Sequence, residues 1–195
     1  NPAGLGFVER CSVFTTYSSL FESAAHGAAS AACPLKRLGV VGLGGQFLNY
    51  GEIESRSNTG AVDGAFSPSD QVLSASWGIS AREHYAVGVT AKRISVKIDN
   101  QAYGNAFDLG ALFRFSWLSV GGTLQNANGK VKINEVSEKL PQTSMIGAQA
   151  DFEQLTFMAA ANSAKDGGWF SGGAEYYFSP QSEGSPVVIR TGYST

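Results

Sequence analysis

The sequence has no run approaching the roughly 20 consecutive apolar residues that a membrane-spanning helix requires. It has two cysteines, Cys11 and Cys33, which excludes a disulfide-dense scaffold but allows one bridge. Charged residues are also scarce, because they make up 15% of the chain against roughly 25% in ordinary soluble domains. A formal net charge of -2 gives no basic footprint, so we expect no nucleic-acid partner.

Residue types that carry catalysis are equally few. The chain has two histidines, His26 and His84, and His84 is predicted to lie in a short turn at one end of the strands, away from any carboxylate on their polar face. No cysteine and histidine spacing is typical of a metal site, and no serine, histidine and aspartate can be assigned to a triad. We therefore expect a protein that is not an enzyme and that uses no metal or cofactor.

What the chain has in abundance is alternation. In residues 107–115 and 118–125 every second side chain is apolar, and the residues between them are mainly glycine, serine, threonine or charged. About eleven segments show this strand pattern: 11–18, 25–33, 41–47, 73–79, 85–91, 107–115, 118–125, 146–152, 155–159, 170–178 and 187–193. The first two are the least regular, because residues 19–32 are rich enough in alanine to form a helix instead.

The two faces of these predicted strands are inverted relative to a soluble sandwich. A sandwich puts bulky aliphatic residues inside and lysine, glutamate and threonine outside. Here the polar face is mostly glycine, serine and threonine, while the apolar face is rich in aromatics such as Trp77, Tyr85 and Trp117. We therefore predict an all-β fold, a transmembrane antiparallel up-and-down β-barrel in outer-membrane lipid. A soluble β-sandwich binding module is the less favoured alternative.

The connections between strands are alternately long and short. Two long polar links, within residues 51–67 and 127–143, are separated by tight turns such as the one from Ala81 to His84. Outer-membrane barrels have short periplasmic turns and long outer loops, so these two links are predicted to face outward. The apolar phase switches near Lys92 and Arg93, which predicts a bulge or a strand that emerges beyond the bilayer.

Several segments resemble one family of barrels. The opening Asn-Pro-Ala-Gly-Leu-Gly at 1–6 resembles a motif near the N-terminus of FadL-type outer-membrane proteins. The PorV/PorQ family of that superfamily is similar over segments spread along the chain: Asn-Tyr-Gly-Glu-Ile-Glu (49–54), Gly-Ala-Phe-Ser-Pro-Ser-Asp (64–70), Ala-Phe-Asp-Leu-Gly-Ala-Leu-Phe-Arg (106–114), Thr-Leu-Gln-Asn (123–126), Gly-Gly-Ala-Glu-Tyr (172–176) and Ile-Arg-Thr-Gly-Tyr (189–193). The resemblance implies a fourteen-stranded barrel with an N-terminal plug-like element.

The resemblance implies two alternative roles. One is carriage of secreted proteins in type IX secretion or membership of a membrane complex, with loops 51–67 and 127–143 contacting the partners. The other is FadL-like transport of a hydrophobic small molecule through the lumen. We expect a single domain, with a plug segment at 1–10 and barrel strands at 11–195. We also expect it to be incomplete at both ends, because eleven strands is an odd number and single-chain bacterial barrels use even ones.

The N-terminal motif and the cysteines have structural interpretations. Asn1, Pro2, Ala3 and Gly4 are predicted to form a bend that packs into the barrel mouth, and lining of a ligand path is the alternative. A hairpin centred near Glu22 would bring Cys11 directly opposite Cys33 and allow a disulfide. Two small unbridged residues in an alanine-rich hairpin are the alternative.

Two ion pairs are predicted on the lumenal face. A turn around Gln181 to Gly184 sets Glu175 directly across from Arg190. A similar count around Asn100 sets Lys92, which lies at the phase switch, against Asp108. Separate contacts to a solute are the alternative. If the Glu175–Arg190 pair were truly buried, removal of the arginine would cost roughly 3–5 kcal/mol.

Overall fold

The structure, a computed structural model, describes residues 1–57, 59–98, 100–133, 136–178 and 187–195. Short 3-10 helices lie at Pro2–Phe7, Phe21–Ser23 and Lys36–Leu38. The strands are β1 (Ser12–Ser19), β2 (Ala25–Pro34), β3 (Val40–Asn49), β4 (Ile53–Arg56), β5 (Val62–Phe66), β6 (Ser69–Ala81), β7 (Tyr85–Lys97), β8 (Gln101–Arg114), β9 (Leu118–Ile133), β10 (Val136–Lys139), β11 (Thr143–Phe152), β12 (Leu155–Ala164), β13 (Gly167–Phe178) and β14 (Val187–Ser194). In the described ranges, no helix has the length and apolar character needed to cross a membrane.

The main sheet is antiparallel and follows chain order. Its strands run β1-β2-β3-β6-β7-β8-β9-β11-β12-β13-β14, with β10 paired to β9, while β4 and β5 form a separate two-stranded sheet. The predicted all-β class and all eleven predicted strands are confirmed. The helical alternative for residues 19–32 is wrong, because β2 pairs with β1 and β3 along its length. In the described part of the chain β1 and β14 do not pair with each other. Closure into a barrel therefore stays a prediction.

The two long links are not simple loops. Residues 51–67 contain β4 and β5, and residues 127–143 contain the end of β9 and all of β10. Strand β9 has sixteen residues, so its β10-paired end reaches past the part that pairs with β11. Sequence alternation missed these three short strands. Both hairpins belong to the edge of the sheet where the long connections lie.

The sheet buries small side chains and exposes large ones. In the described part of the chain the buried hydrophobic residues are Ala3, Val40, Ala86, Ala102, Ala106 and Val131, and no large side chain is fully buried. Leu43 is 69% exposed and Phe170 is 67% exposed, on opposite halves of the sheet. We call the face that carries these large side chains the outer face. The opposite, inner face carries glycine, serine and threonine and is contacted by the N-terminal helix.

The phase switch near Lys92 does not come from a bulge in β7. Strand β7 pairs with β6 and β8 without a shift in register. Because the strand is regular, Arg93 stays on the outer face while Ile94 and Val96 turn inward and are half-buried. The predicted bulge in β7 is therefore wrong. The register shifts lie between β8 and β9, where Asn126 and Asn128 have positive φ values of 55° and 51°.

Candidate functional site

The N-terminal motif forms a helix that is fixed to the inner face. Asn1 caps this helix, because its Oδ1 accepts a hydrogen bond of 3.0 Å from the Ala3 amide. Its Nδ2 donates to the carbonyl oxygens of Ala111 and Gly122, both at 3.0 Å, which ties the helix to β8 and β9. Ala3 is fully buried, while Gly4 meets open space. The predicted bend is therefore packed against the sheet, while its place in the mouth of a barrel stays a prediction.

Three glycines make room for this helix. Gly78, Gly88 and Gly110 are direct partners across β6, β7 and β8. A Cβ on Gly78 would lie 2.8 Å from the Leu5 Cβ, and one on Gly88 would collide with the Pro2 backbone. The row therefore forms a cradle in which two backbones approach closely. At the far end of the helix, the Arg114 guanidinium lies 4.2 Å above the centre of the Phe7 ring.

Lys92 and Asp108 form a sheltered ion pair on the inner face. The Lys92 Nζ lies 2.7 Å from the Asp108 Oδ1, and the two side chains are 17% and 15% exposed. The pair is diagonal rather than directly opposed, because Lys92 faces Ala106 and Asp108 faces Thr90. The predicted register was thus wrong by two residues, although the pairing forms.

A third residue that sequence reasoning missed completes this cluster. The Asn126 Oδ1 accepts a hydrogen bond of 2.6 Å from the Lys92 Nζ. The backbone N–H of Asn126 donates to the Asp108 Oδ1 at 2.9 Å. Its Nδ2 donates to the Pro141 carbonyl at 2.9 Å. Asn126 therefore links the ion pair to the segment that follows β10. The only signal in the sequence is an Asn-Ala-Asn-Gly run, whose asparagines tolerate a left-handed backbone.

Glu175 and Arg190 are directly opposed on β13 and β14, as the predicted register requires. The Arg190 Nε donates to the Glu175 Oε1 at 2.8 Å. The pair is more exposed than expected, since the Arg190 side chain is 68% exposed and that of Glu175 is 32% exposed. The large cost predicted for a buried pair therefore does not apply. The turn predicted around Gln181 to Gly184 lies outside the described residues.

Cys11 and Cys33 are joined by a disulfide, and their Cα atoms are 4.1 Å apart. The register of β1 and β2 places the two residues opposite each other next to Ser12 and Ala32. The bond fastens the segment before β1 to the end of β2. The alternative of two small, unbridged residues is therefore wrong.

A tyrosine anchors the first long link to the sheet. The Tyr50 hydroxyl donates a hydrogen bond of 2.7 Å to the Asp70 Oδ2, at the start of β6. This hydrogen bond raises the pKa of Tyr50 above its usual value of 10.0, with smaller contributions from burial and from the charge of Asp70. Tyr50 lies between β3 and β4, outside the main sheet.

The histidines take no part in these clusters. His84 lies in the turn between β6 and β7, and its Nδ1 is 3.0 Å from the Arg114 carbonyl oxygen. His26 lies in β2 between Ser18 and Leu48. Within the residues that the structure describes, no group of three histidine, cysteine, aspartate or glutamate side chains could hold a metal ion.

Comparison with known proteins adds no family to this description. No protein-family model matches the chain, and no curated protein sequence matches it. The resemblance to the PorV/PorQ family therefore stays an expectation from the sequence motifs.

Proposed function

We propose that the chain is a non-enzymatic β-barrel protein of the bacterial outer membrane, with its outer face against lipid. The observation that carries this proposal is the exposure of large apolar side chains from one end of the sheet to the other, including Val13 on β1 and Tyr193 on β14. Soluble monomers rarely expose contiguous apolar patches of more than a few hundred Å². A soluble sandwich would bury such residues against a second sheet.

The proposal includes closure of the sheet. A strand edge in lipid leaves backbone groups unpaired, and each such group costs several kcal/mol. The fourteen-stranded barrel that the FadL-like resemblance implies would pair both β1 and β14. The helix held by the glycine cradle is then a plug-like element inside the barrel.

We propose further that the barrel binds proteins, as a PorV-like component of type IX secretion or as a subunit of a membrane complex. The support is that its two long connections have regular structure, because each contains a β-hairpin. Ile53, Val62 and Val136 are exposed on these hairpins. Exposed strands beside apolar side chains are suited to pairing with a strand of a partner protein.

Two measurements test this proposal. The protein should require detergent for extraction from cells, and mild detergent should extract it together with partner proteins. Replacement of residues 53–66 by a flexible linker should abolish this co-purification while the heat-modifiable migration of the folded barrel persists. A variant with the same linker inserted in the turn between Ala81 and Tyr85 is the control. Extraction without detergent would contradict the membrane proposal, and unchanged partners in the 53–66 variant would contradict the protein-binding role.

Transport of a hydrophobic molecule is the second candidate. A groove of about 440 Å³ lies beside the Glu175–Arg190 pair and is lined by Met158, Ser171 and Gly173, among others. An apolar ligand retained there should be detectable by mass spectrometry after gentle purification. A Met158→Trp variant should lose such a ligand, whereas a ligand-free wild type would remove the support for transport.

A further inference from the structure

A row of positive side chains crosses the outer face at the long-connection edge of the sheet. Arg93, Asn105, Lys130 and Lys139 are successive direct partners on β7, β8, β9 and β10. All four are exposed. We call Arg93, Lys130 and Lys139 the basic row. Lys132 lies on the same face, two residues after Lys130 in β9, and is opposite Tyr103.

Among the residues that the structure describes, no carboxylate is paired with the basic row. Lys130 and Lys139 are directly opposed, and like charges in that position destabilise a sheet. Within the described ranges, none of the three cations forms an ion pair. A cavity next to Lys130 and Lys139 is also lined by Lys165 and by one carboxylate, that of Asp166. The arrangement therefore favours an anion that can reach several cations together.

The arginine of the basic row is already oriented. Its Nη1 donates to the Asn105 Oδ1 at 3.1 Å, and its guanidinium carbon lies 4.9 Å from the centre of the Tyr103 ring. Both contacts hold the planar group close to the sheet surface. A guanidinium fixed in this way loses little freedom when it binds an oxyanion.

An apolar groove leads to Arg93 along the outer face. Its volume is about 410 Å³, and Arg93 and Asn105 contribute to its lining. We call it the outer groove, and its apolar lining residues are Leu43, Leu73, Ala75, Ala91, Ala106 and Phe107. Ala75, Ala91 and Phe107 are direct partners on three neighbouring strands. The two alanines lie beside larger side chains such as Leu73 and Phe107 and so leave a depression between them.

We propose that the basic row and the outer groove bind one phosphate-bearing lipid of the surrounding membrane. The lipid phosphate contacts Arg93, Lys130 and Lys139, and an acyl chain lies in the outer groove. The observations that select a lipid are the continuity of an apolar groove with a cationic end and the opposed lysines that need an anion. This inference rests on the proposed placement of the outer face against lipid.

Native mass spectrometry of the full chain in detergent tests the proposal. Phosphatidic acid should bind in one copy, about tenfold more tightly than diacylglycerol with the same acyl chains, because only the former carries the phosphate. The double variant Lys130→Gln/Lys139→Gln should lose this preference and keep its weak binding of diacylglycerol. Ala91→Trp should weaken binding of both lipids. Lys36→Gln, which removes a cation from the turn between β2 and β3, is the control and should change nothing.

Three results would overturn the proposal. Equal binding of phosphatidic acid and diacylglycerol would exclude a phosphate site, and unchanged binding in the Ala91→Trp variant would exclude the outer groove. Inorganic phosphate that displaces the lipid completely at equal concentration would indicate a site for a free anion.

A protein that needs detergent but has no preference for phosphatidic acid would refute this inference alone. A protein that is soluble without detergent would refute the proposed function itself.

Discussion

At the scale of single residues, the two inner-face ion pairs differ in their exposure to water. Lys92 and Asp108 are mostly buried and share hydrogen bonds with Asn126, whereas most of the Arg190 side chain is exposed. An exposed pair contributes little because water screens both charges. A sheltered pair that loses one member leaves an uncompensated charge. Lys92 is therefore the more sensitive position, although the pair with Arg190 was the better supported of the two from the sequence.

A comparison of two substitutions tests this difference. We expect Lys92→Met to lower the free energy of unfolding by about 3–5 kcal/mol, because the Asp108 carboxylate is left without its partner. Arg190→Met should cost about 0.2–1 kcal/mol. The double variant Lys92→Met/Asp108→Leu is the control and should recover most of the loss. Urea unfolding of the refolded protein gives these values, and equal losses in the two single variants would contradict the argument.

The Tyr50 hydroxyl supplies a prediction for the alkaline range. Its pKa is raised in the folded state, so the hydrogen bond to Asp70 is present below the unfolded pKa near 10 and is lost as the pH rises through the folded value. We expect the anchor of the first long link to loosen in that window. Hydrogen exchange around residues 50–53 should show the loss, and Tyr50→Phe should show faster exchange there even at neutral pH. Identical exchange in Tyr50→Phe and the wild type would show that the hydrogen bond does not anchor the link.

Residue positions that depend on the register between strands were harder to predict than the strands themselves. The pair between Glu175 and Arg190 was predicted correctly because β13 and β14 pair without a shift. The position of Lys92 was misjudged, since β7 and β8 meet two residues away from the assumed register. Asn126 ends the Thr-Leu-Gln-Asn segment of the resemblance, but its role beside the ion pair was missed. Its role depends on a left-handed backbone in β9, and no period in the sequence specifies such a position.

At the scale of elements, the alternation of apolar and polar residues predicted all eleven strands on the path of the main sheet. It missed β4, β5 and β10, which have four or five residues each and are exposed along nearly their whole length. A strand without a buried face has no reason to alternate, so its signal is absent from the sequence. The glycine cradle was also invisible, because Gly78, Gly88 and Gly110 are widely separated and are brought together only by the pairing of β6, β7 and β8.

The cradle predicts a specific sensitivity at Gly88. In Gly88→Ala the new methyl group meets the Pro2 backbone, so the N-terminal helix must move away from the sheet. We expect faster exchange of the Gly4 and Val8 amides, which close the turns of this helix, and a loss of about 1–3 kcal/mol in the free energy of unfolding.

Gly42→Ala is the matched control for the cradle. Gly42 lies on the same inner face, and its added methyl group would make an ordinary contact of 3.5 Å with the Leu5 side chain. Helix exchange should therefore stay close to the wild-type rate in this variant. Equal effects of the two substitutions would argue against a close backbone approach at Gly88.

The disulfide acts on the first edge of the sheet. In the part of the chain that the structure describes, strand β1 pairs only with β2, and the Cys11–Cys33 bond closes the covalent loop that contains β1 and β2 as far as Cys33. Loss of the bond in Cys11→Ser/Cys33→Ser should lower the free energy of unfolding by about 3 kcal/mol and speed exchange in Ser12–Ser19. Exchange in β11 to β13 should not change. Addition of reductant should reproduce these changes in the wild type and have no effect on the variant. If reductant also destabilised the variant, its effect on the wild type could not be attributed to the Cys11–Cys33 bond.

At the scale of the whole molecule, the sequence predicted correctly which side chains share a face of the sheet, whereas the closure that it also predicted stays a prediction. The alternation specifies which side chains share a face, and the aromatics specify that this face is unlike a soluble exterior. Whether β1 and β14 meet another strand depends on groups that are far apart in the sequence and on the curvature of the entire sheet. The effect of a charge on the outer face, however, can be predicted whatever the number of strands.

A charge placed at the centre of the outer face distinguishes lipid from water. Leu109 lies in the middle of β8, between Val89 and Leu124, and is 48% exposed. Val62, in the β4–β5 hairpin, is 59% exposed and serves as the matched control. In lipid vesicles we expect Leu109→Arg to lower the free energy of unfolding by about 2–4 kcal/mol, because the guanidinium must enter hydrocarbon. Val62→Arg should change it by less than about 0.5 kcal/mol, as at a surface in water. Equal tolerance of both substitutions would mean that the outer face is not in contact with lipid, since the two side chains are similarly accessible and differ in the proposal only by the medium around them.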